Sequence, residues 1–219
     1  MIVTIDGPAG AGKSYVSRAL AERLGFQFLD TGATYRAVAL TALRQKIDWH
    51  DEDALVRLSQ EISIEFQGPR VIVNGEDVTD DIRTTEVTTA IHFVADNPLI
   101  RKNLVELQRR IAADQNTVTE GRDQGTVAFP DAECKIFLTA SPEERARRRL
   151  SDLVAQGEQV TFEEVLAQQN ERDRRDSNRE VGRLMKALDA IEVMTDGLTR
   201  DEVVNQLERL MQAAKGFKT

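Results

Sequence analysis

The sequence predicts an α/β protein in three layers, a parallel sheet flanked by helices, with a small β-containing insertion. Three observations carry this expectation. A short apolar, β-branched run at 1–5 opens directly into the glycine-rich stretch GPAGAGKS at 7–14 and then into a helix-spaced segment. Strand-like and helix-like segments alternate along most of the chain, the pattern of a parallel sheet covered on both faces. The stretch 59–95 interrupts that alternation with short strands joined by a turn signal.

Taken in order, the first strand runs to Ile5, and SYVSRALAERLGF carries apolar residues at helical spacing. Phe26 to Leu29 reads as a second strand. DTGATYRAVALTALRQK follows, placing Asp30 and Thr31 where a strand hands over to a helix. ISIEF and RVIVNGEDVT read as short strands, with Asn74-Gly75 as a tight turn. RTTEVTTAIHFVAD resumes helical spacing, and PLIRKNLVELQRRIAA continues it, with Pro98 suited to a first helical turn. Two strand candidates, Thr117 to Thr119 and Lys135 to Thr139, enclose a polar loop. SPEERARRRLSDLVAQ starts with serine, proline and paired glutamates, a helix-start signature. VTFEEVLAQQNERDRRDSNRE is a further helix of high charge density, AIEVMTD a last strand and TRDEVVNQLERLMQAA a closing helix; the tail AAKGFKT is expected to fray. The expected organisation is one domain over 1–219, with a core of 1–58 and 96–219, a lid at about 145–180 and an insertion of 59–95.

Composition narrows the function classes. The chain of 219 residues is 41% hydrophobic, 30% charged and carries a net charge of −8. Such an acidic balance argues against nucleic-acid binding driven by counterion release. Cys134 is the single cysteine, in the apolar stretch CKIFL, so it is expected in the core and cannot form an internal disulfide. No apolar segment approaches the roughly 20 residues that span a bilayer, and the chain begins without a charged leader and apolar signal core, so a cytoplasmic protein with no membrane partner is expected.

The chemistry concentrates in a few stretches. Gly7 to Ser14 fits G-x-x-x-x-G-K-[ST]: backbone N–H groups wrap a polyphosphate, the lysine meets its outer oxygens and the hydroxyl ligates Mg²⁺. Gly7, Pro8, Ala9, Gly10, Ala11, Gly12, Lys13, Ser14 and the adjacent Tyr15 are therefore candidate contacts for a nucleoside triphosphate, and Ser14 a candidate metal ligand. This P-loop recognises only phosphate and metal, so it does not separate a kinase from a GTPase or an ATP-driven machine. Transfer to a second phosphate calls for positioned arginines, whose planar forks suit bidentate phosphate contacts. Arg36, Arg101, Arg122, Arg172 and Arg179 lie near turns or in charged segments where several can converge. The bland alternative stands beside this one: Arg145, Arg147, Arg148 and Arg149 can form the solvated side of a helix, with Arg147 the least expected contact, and ERDRRDSNR can be a salt-bridged surface helix. His50 and His92 sit in contexts that read as structural.

GPAGAGKS, DTGATYRA, IRTTEV, EGRDQGTVAFPDA and RDRRDSNR, in this order, resemble the bacterial cytidylate kinases of the nucleoside monophosphate kinase group, over Met1 to about Met211. The P-loop is widely shared; GRDQGTVAFPDA and RDRRDSNR together are specific. The resemblance implies Mg²⁺-dependent transfer of the γ-phosphoryl of ATP to CMP or dCMP by a monomer, with an enlarged monophosphate-binding domain matching the insertion. It implies Thr31, Arg36, Arg101, Arg122, Asp123, Arg172, Asp176 and Arg179 at CMP, with Asp123 and Asp176 near the pentose. Arg148 is placed near ATP, and Lys13, Arg122, Arg172 and Arg179 act in catalysis. Two residues depart from the family pattern: Thr31 stands where serine is usual, and Glu120 where aspartate is frequent. From the residues themselves a P-loop kinase with another acceptor, or a binding module that holds ATP without turnover, stays open.

Overall fold

The computed structural model describes residues 1–155 and 157–213, so the fraying expected beyond Ala213 lies outside the described residues. By its internal contacts the chain divides into two compact units, Met1–Phe28 with Asp114–Thr219, and Leu29–Ala113.

The first unit is built on a five-stranded sheet of order β2-β6-β1-β7-β8. Its strands are β1 (Ile2–Asp6), β2 (Gln27–Asp30), β6 (Thr117–Gly121), β7 (Cys134–Thr139) and β8 (Ile191–Met194). The pairs β1/β6, β1/β7 and β7/β8 are parallel. Asp6 at the end of β1 pairs with Gly121 of β6 and Phe137 of β7. β1 and β6 therefore end level, β7 runs on to Thr139, and the loops after these parallel strands emerge at one edge, where ligands of such sheets bind. The strand expected at Thr117–Thr119 runs on through Glu120 and Gly121, because Ile5 and Asp6 supply partners for both.

Helices α1 (Lys13–Leu24) and α8 (Arg200–Gln212) cover the sheet. Val16, Leu20, Val203, Val204, Leu207 and Met211 bury against Val3, Ile5, Ile136, Leu138 and Val193. Cys134 joins this cluster, and burial pushes its thiol up to about 11, the inert core position expected of it. The helices α6 (Pro142–Ala155) and α7 (Phe162–Asn178) form their own small cluster from Ala146, Leu153 and Val165, flanked by Leu150, Val160, Phe162 and Leu166. A capping box of Thr161 and Glu164 starts α7 where the sequence turns from loop to helix.

The second unit contains α2 (Thr31–Arg44), α3 (Glu52–Glu61), β3 (Ile64–Gln67), β4 (Arg70–Val73), β5 (Glu76–Asp77), a 3₁₀ turn (Asp81–Arg83), α4 (Thr85–Ala95) and α5 (Pro98–Ala112). The strands β3-β4-β5 form an antiparallel sheet, and the turn at Asn74 and Gly75 has φ of 50° and 86°, as the sequence predicts. This unit is wider than the 59–95 expected for the insertion. Ile64, Val71 and Val73 of the small sheet share one core with Val38 and Leu40 of α2 and with Ile100 and Leu104 of α5. Hydrophobic burial thus draws the flanking helices into the same body. No described helix is long and apolar enough to cross a membrane.

Candidate active site

In the first unit the loop after β1 turns back hard. Gly7 has φ of 148°, and a Cβ there would lie 1.9 Å from the Leu138 carbonyl oxygen of β7, so only glycine fits. No side chain caps α1. Its leading N–H groups, which have no intrahelical partners, are left for an anion at the positive end of the helix dipole. Lys13 is buried, and its Nζ donates to the Pro8 carbonyl at 2.7 Å, folding the side chain across the loop. Burial first, then Arg122 and Arg172, bring its pKa down to about 7 against the opposing pull of Glu120 and Asp6. Ser14 Oγ donates to Glu120 Oε1 at 2.8 Å.

Asp6, which the sequence reading passed over, sets the next loop. Its two carboxylate oxygens accept from the backbone N–H groups of Gln124 at 2.8 Å and Gly125 at 2.7 Å, holding the start of a π-helical turn, Gln124–Ala128. Arg122 and Asp123 lie immediately before that turn, so Asp6 fixes where they stand. Burial pushes the Asp6 carboxyl up to about 7, opposed by those two amide bonds. The only signal in the sequence is an aspartate closing an apolar strand.

The inward side of α7 completes the cluster. Asp176 accepts from Arg122 Nε at 2.9 Å on one oxygen and from Arg179, through its Nη2, at 2.7 Å on the other. Burial works to raise the Asp176 carboxyl, but the charges of Arg122, Arg179 and Arg172 overcome it and hold it at about 2. Arg122, Arg172 and Arg179 thus all act on the Asp176 carboxylate. Arg174 and Arg175, on the same helix, instead pair with Glu171 at the exposed surface.

The arginines of α6 sort less simply. Arg147 is exposed, near Glu144 and over Phe162, which is the solvated side expected of it. Arg148 uses Nε on Glu144 and both terminal nitrogens on Thr195, so it ties α6 to the segment after β8. Arg145 is buried and touches the P-loop, a residue for which the sequence reading favoured solvent. Tyr15 is half exposed, with the Arg200 guanidinium 4.7 Å from its ring centre.

In the second unit, Asp30 caps α2 by accepting from Ala33 N–H at 3.0 Å. The same carboxylate accepts from Arg36 Nη2 at 3.0 Å and Arg83 Nη2 at 3.2 Å. Burial acts to raise Asp30, and the two guanidinium charges win, holding it below its ordinary range. Thr31 is buried, and its carbonyl accepts from Thr34 Oγ1 at 2.7 Å. Arg101 is also buried; its Nη1 donates to Ala95 O at 2.9 Å and its guanidinium lies 5.1 Å from the Tyr35 ring centre. Arg36 and Arg101 therefore belong to preorganised polar settings, with Arg83 added by the 3₁₀ turn. His92 Nδ1 donates locally to the Thr89 carbonyl at 2.8 Å, and both histidines pack around Phe93, in structural roles.

A family model described as cytidylate kinase matches residues 3–213. A cytidylate kinase of Rhodopirellula baltica is 52% identical over 97% of this chain and 93% of its own. Another, from Carboxydothermus hydrogenoformans, is 49% identical over 94% and 95%. The crystal structure of an uncharacterized protein from Eubacterium ventriosum, 14% identical, covers 97% of this chain and 98% of its own at a TM-score of 0.53, a likeness of fold alone.

Proposed function

The chain belongs to the cytidylate kinase family, and on that premise we propose that it transfers the γ-phosphoryl group of ATP to CMP or dCMP, giving ADP and CDP or dCDP. The observation that carries the reading is that Arg122 and Arg172 stand near Lys13 of the P-loop, while Asp176 pairs with Arg122 and Arg179. An anionic donor attacked by an anionic acceptor needs this concentration of fixed positive charge.

The loop from Gly7 to Ser14, with Tyr15 and Arg148 beside it, receives ATP. Lys13 releases Pro8 and moves its ammonium to the outer phosphates. Mg²⁺ fits the donors present: the Ser14 hydroxyl and the Glu120 carboxylate are adjacent hard oxygens, and magnesium takes one or two such groups together with substrate phosphates. When bound, the metal supplies charge neutralisation at the transferring phosphoryl group. Thr31, Arg36 and Arg101 hold CMP in the second unit, with Arg83 as a further cation beside Arg36. Asp176 orients Arg122 and Arg179, through an oxygen for each. The acceptor phosphate is already ionised, so no general base is required. The protein acts as a cytoplasmic monomer without nucleic-acid or membrane partners.

The test is coupled detection of ADP release with ATP, Mg²⁺ and a panel of CMP, dCMP, UMP, AMP and GMP. CMP and dCMP are expected to exceed the purine acceptors clearly. Equal rates across the panel, or ATP hydrolysis with no phosphorylated acceptor, would overturn the proposal. A chelator in excess over Mg²⁺ should stop turnover.

A further inference from the structure

We propose that Arg145 is a positioning residue that couples the P-loop to α7, so that occupancy of the loop by ATP and the placement of Arg172 and Arg179 depend on each other. This rests on the kinase reading above and adds to it a residue that touches neither substrate.

The geometry is specific. Arg145 Nη1 donates both to the Ala9 carbonyl in the middle of the P-loop, at 3.0 Å, and to Asp173 Oδ2 of α7, at 2.6 Å. Its Nε donates to the Ala140 carbonyl at the end of β7, at 3.1 Å. One buried guanidinium thus joins the loop, the sheet and the helix that carries Arg172 and ends at Arg179. The neighbouring packing reinforces the link. Gln169, one turn before Asp173, donates its Nε2 to the Arg145 carbonyl at 3.3 Å. A Cβ on Gly10 would come within 2.7 Å of that amide and 3.1 Å of Arg145 Cβ, so α6 and α7 press directly on the loop. Asp173 lies next to Arg172 and three residues before Asp176, and its charge also reaches Arg122. A shift of Ala9 moves Arg145, and with it the part of α7 whose next turn holds Asp176.

A lone buried guanidinium making three such bonds has no substitute among simple side chains. Lysine keeps the charge and can meet Ala9 or Asp173, but it cannot reproduce the planar fork.

The experiment measures affinity for a fluorescent ATP analogue, together with kcat and the KM for ATP and for CMP, in Arg145→Lys, Arg145→Met, Asp173→Asn and the double variant Arg145→Met with Asp173→Asn. Arg145→Met is expected to weaken the analogue about ten-fold and to lower kcat by about as much. Lysine should recover part of both, and the double variant should cost less than the sum of its singles. Arg147→Ala, at the exposed surface of the same helix, should behave as the wild type. Analogue affinity and KM for ATP unchanged in well-folded Arg145→Lys and Asp173→Asn would overturn the coupling. So would strictly additive losses. The binding readout needs no acceptor, so a failure of the CMP kinase reading shows itself separately, in the wild type.

Discussion

Lys13 is a cation held under strain of charge. Its pKa of about 7, against 10.5 ordinarily, means that between those values the unfolded chain binds more protons than the folded one, and stability rises with pH across that window. Bound polyphosphate reverses the environment, so nucleotide binding at about pH 8.5 should take up protons. Calorimetry in buffers of differing ionisation enthalpy measures this; observed heats that are the same in every buffer would contradict it. Lys13→Ala should lower kcat by about 10²–10³-fold, since it removes one preorganised cation from the transferring group, while circular dichroism stays that of the wild type. Arg179→Ala should be of similar severity. Arg147→Ala should stay within about two-fold of the wild type, because that side chain is 65% exposed and paired only within its own helix. Equal losses in those two arginine variants would undo the division between contact and surface charge.

Whole elements, and not single side chains, hold the arginines in place. Asp176 binds Arg122 from the loop after β6 and Arg179 from the end of α7, so it is the pin between two elements. Its carboxyl lies at about 2 in the folded protein against 3.8 ordinarily; its contribution to stability is therefore whole at higher pH and is lost as the pH falls through about 2. Asp176→Ala leaves two largely buried guanidinium groups without their partner and should cost about 3–5 kcal/mol, read as a fall in the denaturant midpoint. At the other end of the site, Gly7→Ala meets the Leu138 carbonyl of β7 and should abolish ATP-analogue binding; retained affinity would show that the loop can move away from the sheet. The sequence showed the P-loop in full because its eight residues are contiguous and the strand and helix beside it are legible from periodicity. It did not show which arginines of α6 and α7 turn inward. Arg145, Arg147 and Arg148 share one charged run, and Arg172, Arg174 and Arg175 another. Only the packing of Ala146, Leu153 and Val165 fixes the rotation of the two helices. Asp6 and Asp30 were missed for a similar reason: an acidic residue at a strand end gains its meaning from the amides and guanidinium groups brought to it from far along the chain.

At the scale of the molecule, each compact unit has its own apolar core, one centred on Ile5, Leu138 and Leu207 and the other on Val38, Ile82 and Leu104. Leu104→Ala should cost about 2–5 kcal/mol by cavity formation yet leave ATP-analogue affinity unchanged, because the P-loop belongs to the other unit. Thermal melts with and without the analogue test this; a lost ligand-induced rise in Tm would contradict it. Saturation at about 100 times Kd should stabilise the wild type by about 2.7 kcal/mol. The sequence alone determined the α/β class and the phosphate loop, because local periodicity and a contiguous motif encode those directly. The tertiary structure decided the extent of the unit from Leu29 to Ala113, the counter-ion role of Asp176 and the inward turn of Arg145. Those depend on which distant surfaces bury each other, and long-range burial leaves no mark in the spacing of neighbouring residues.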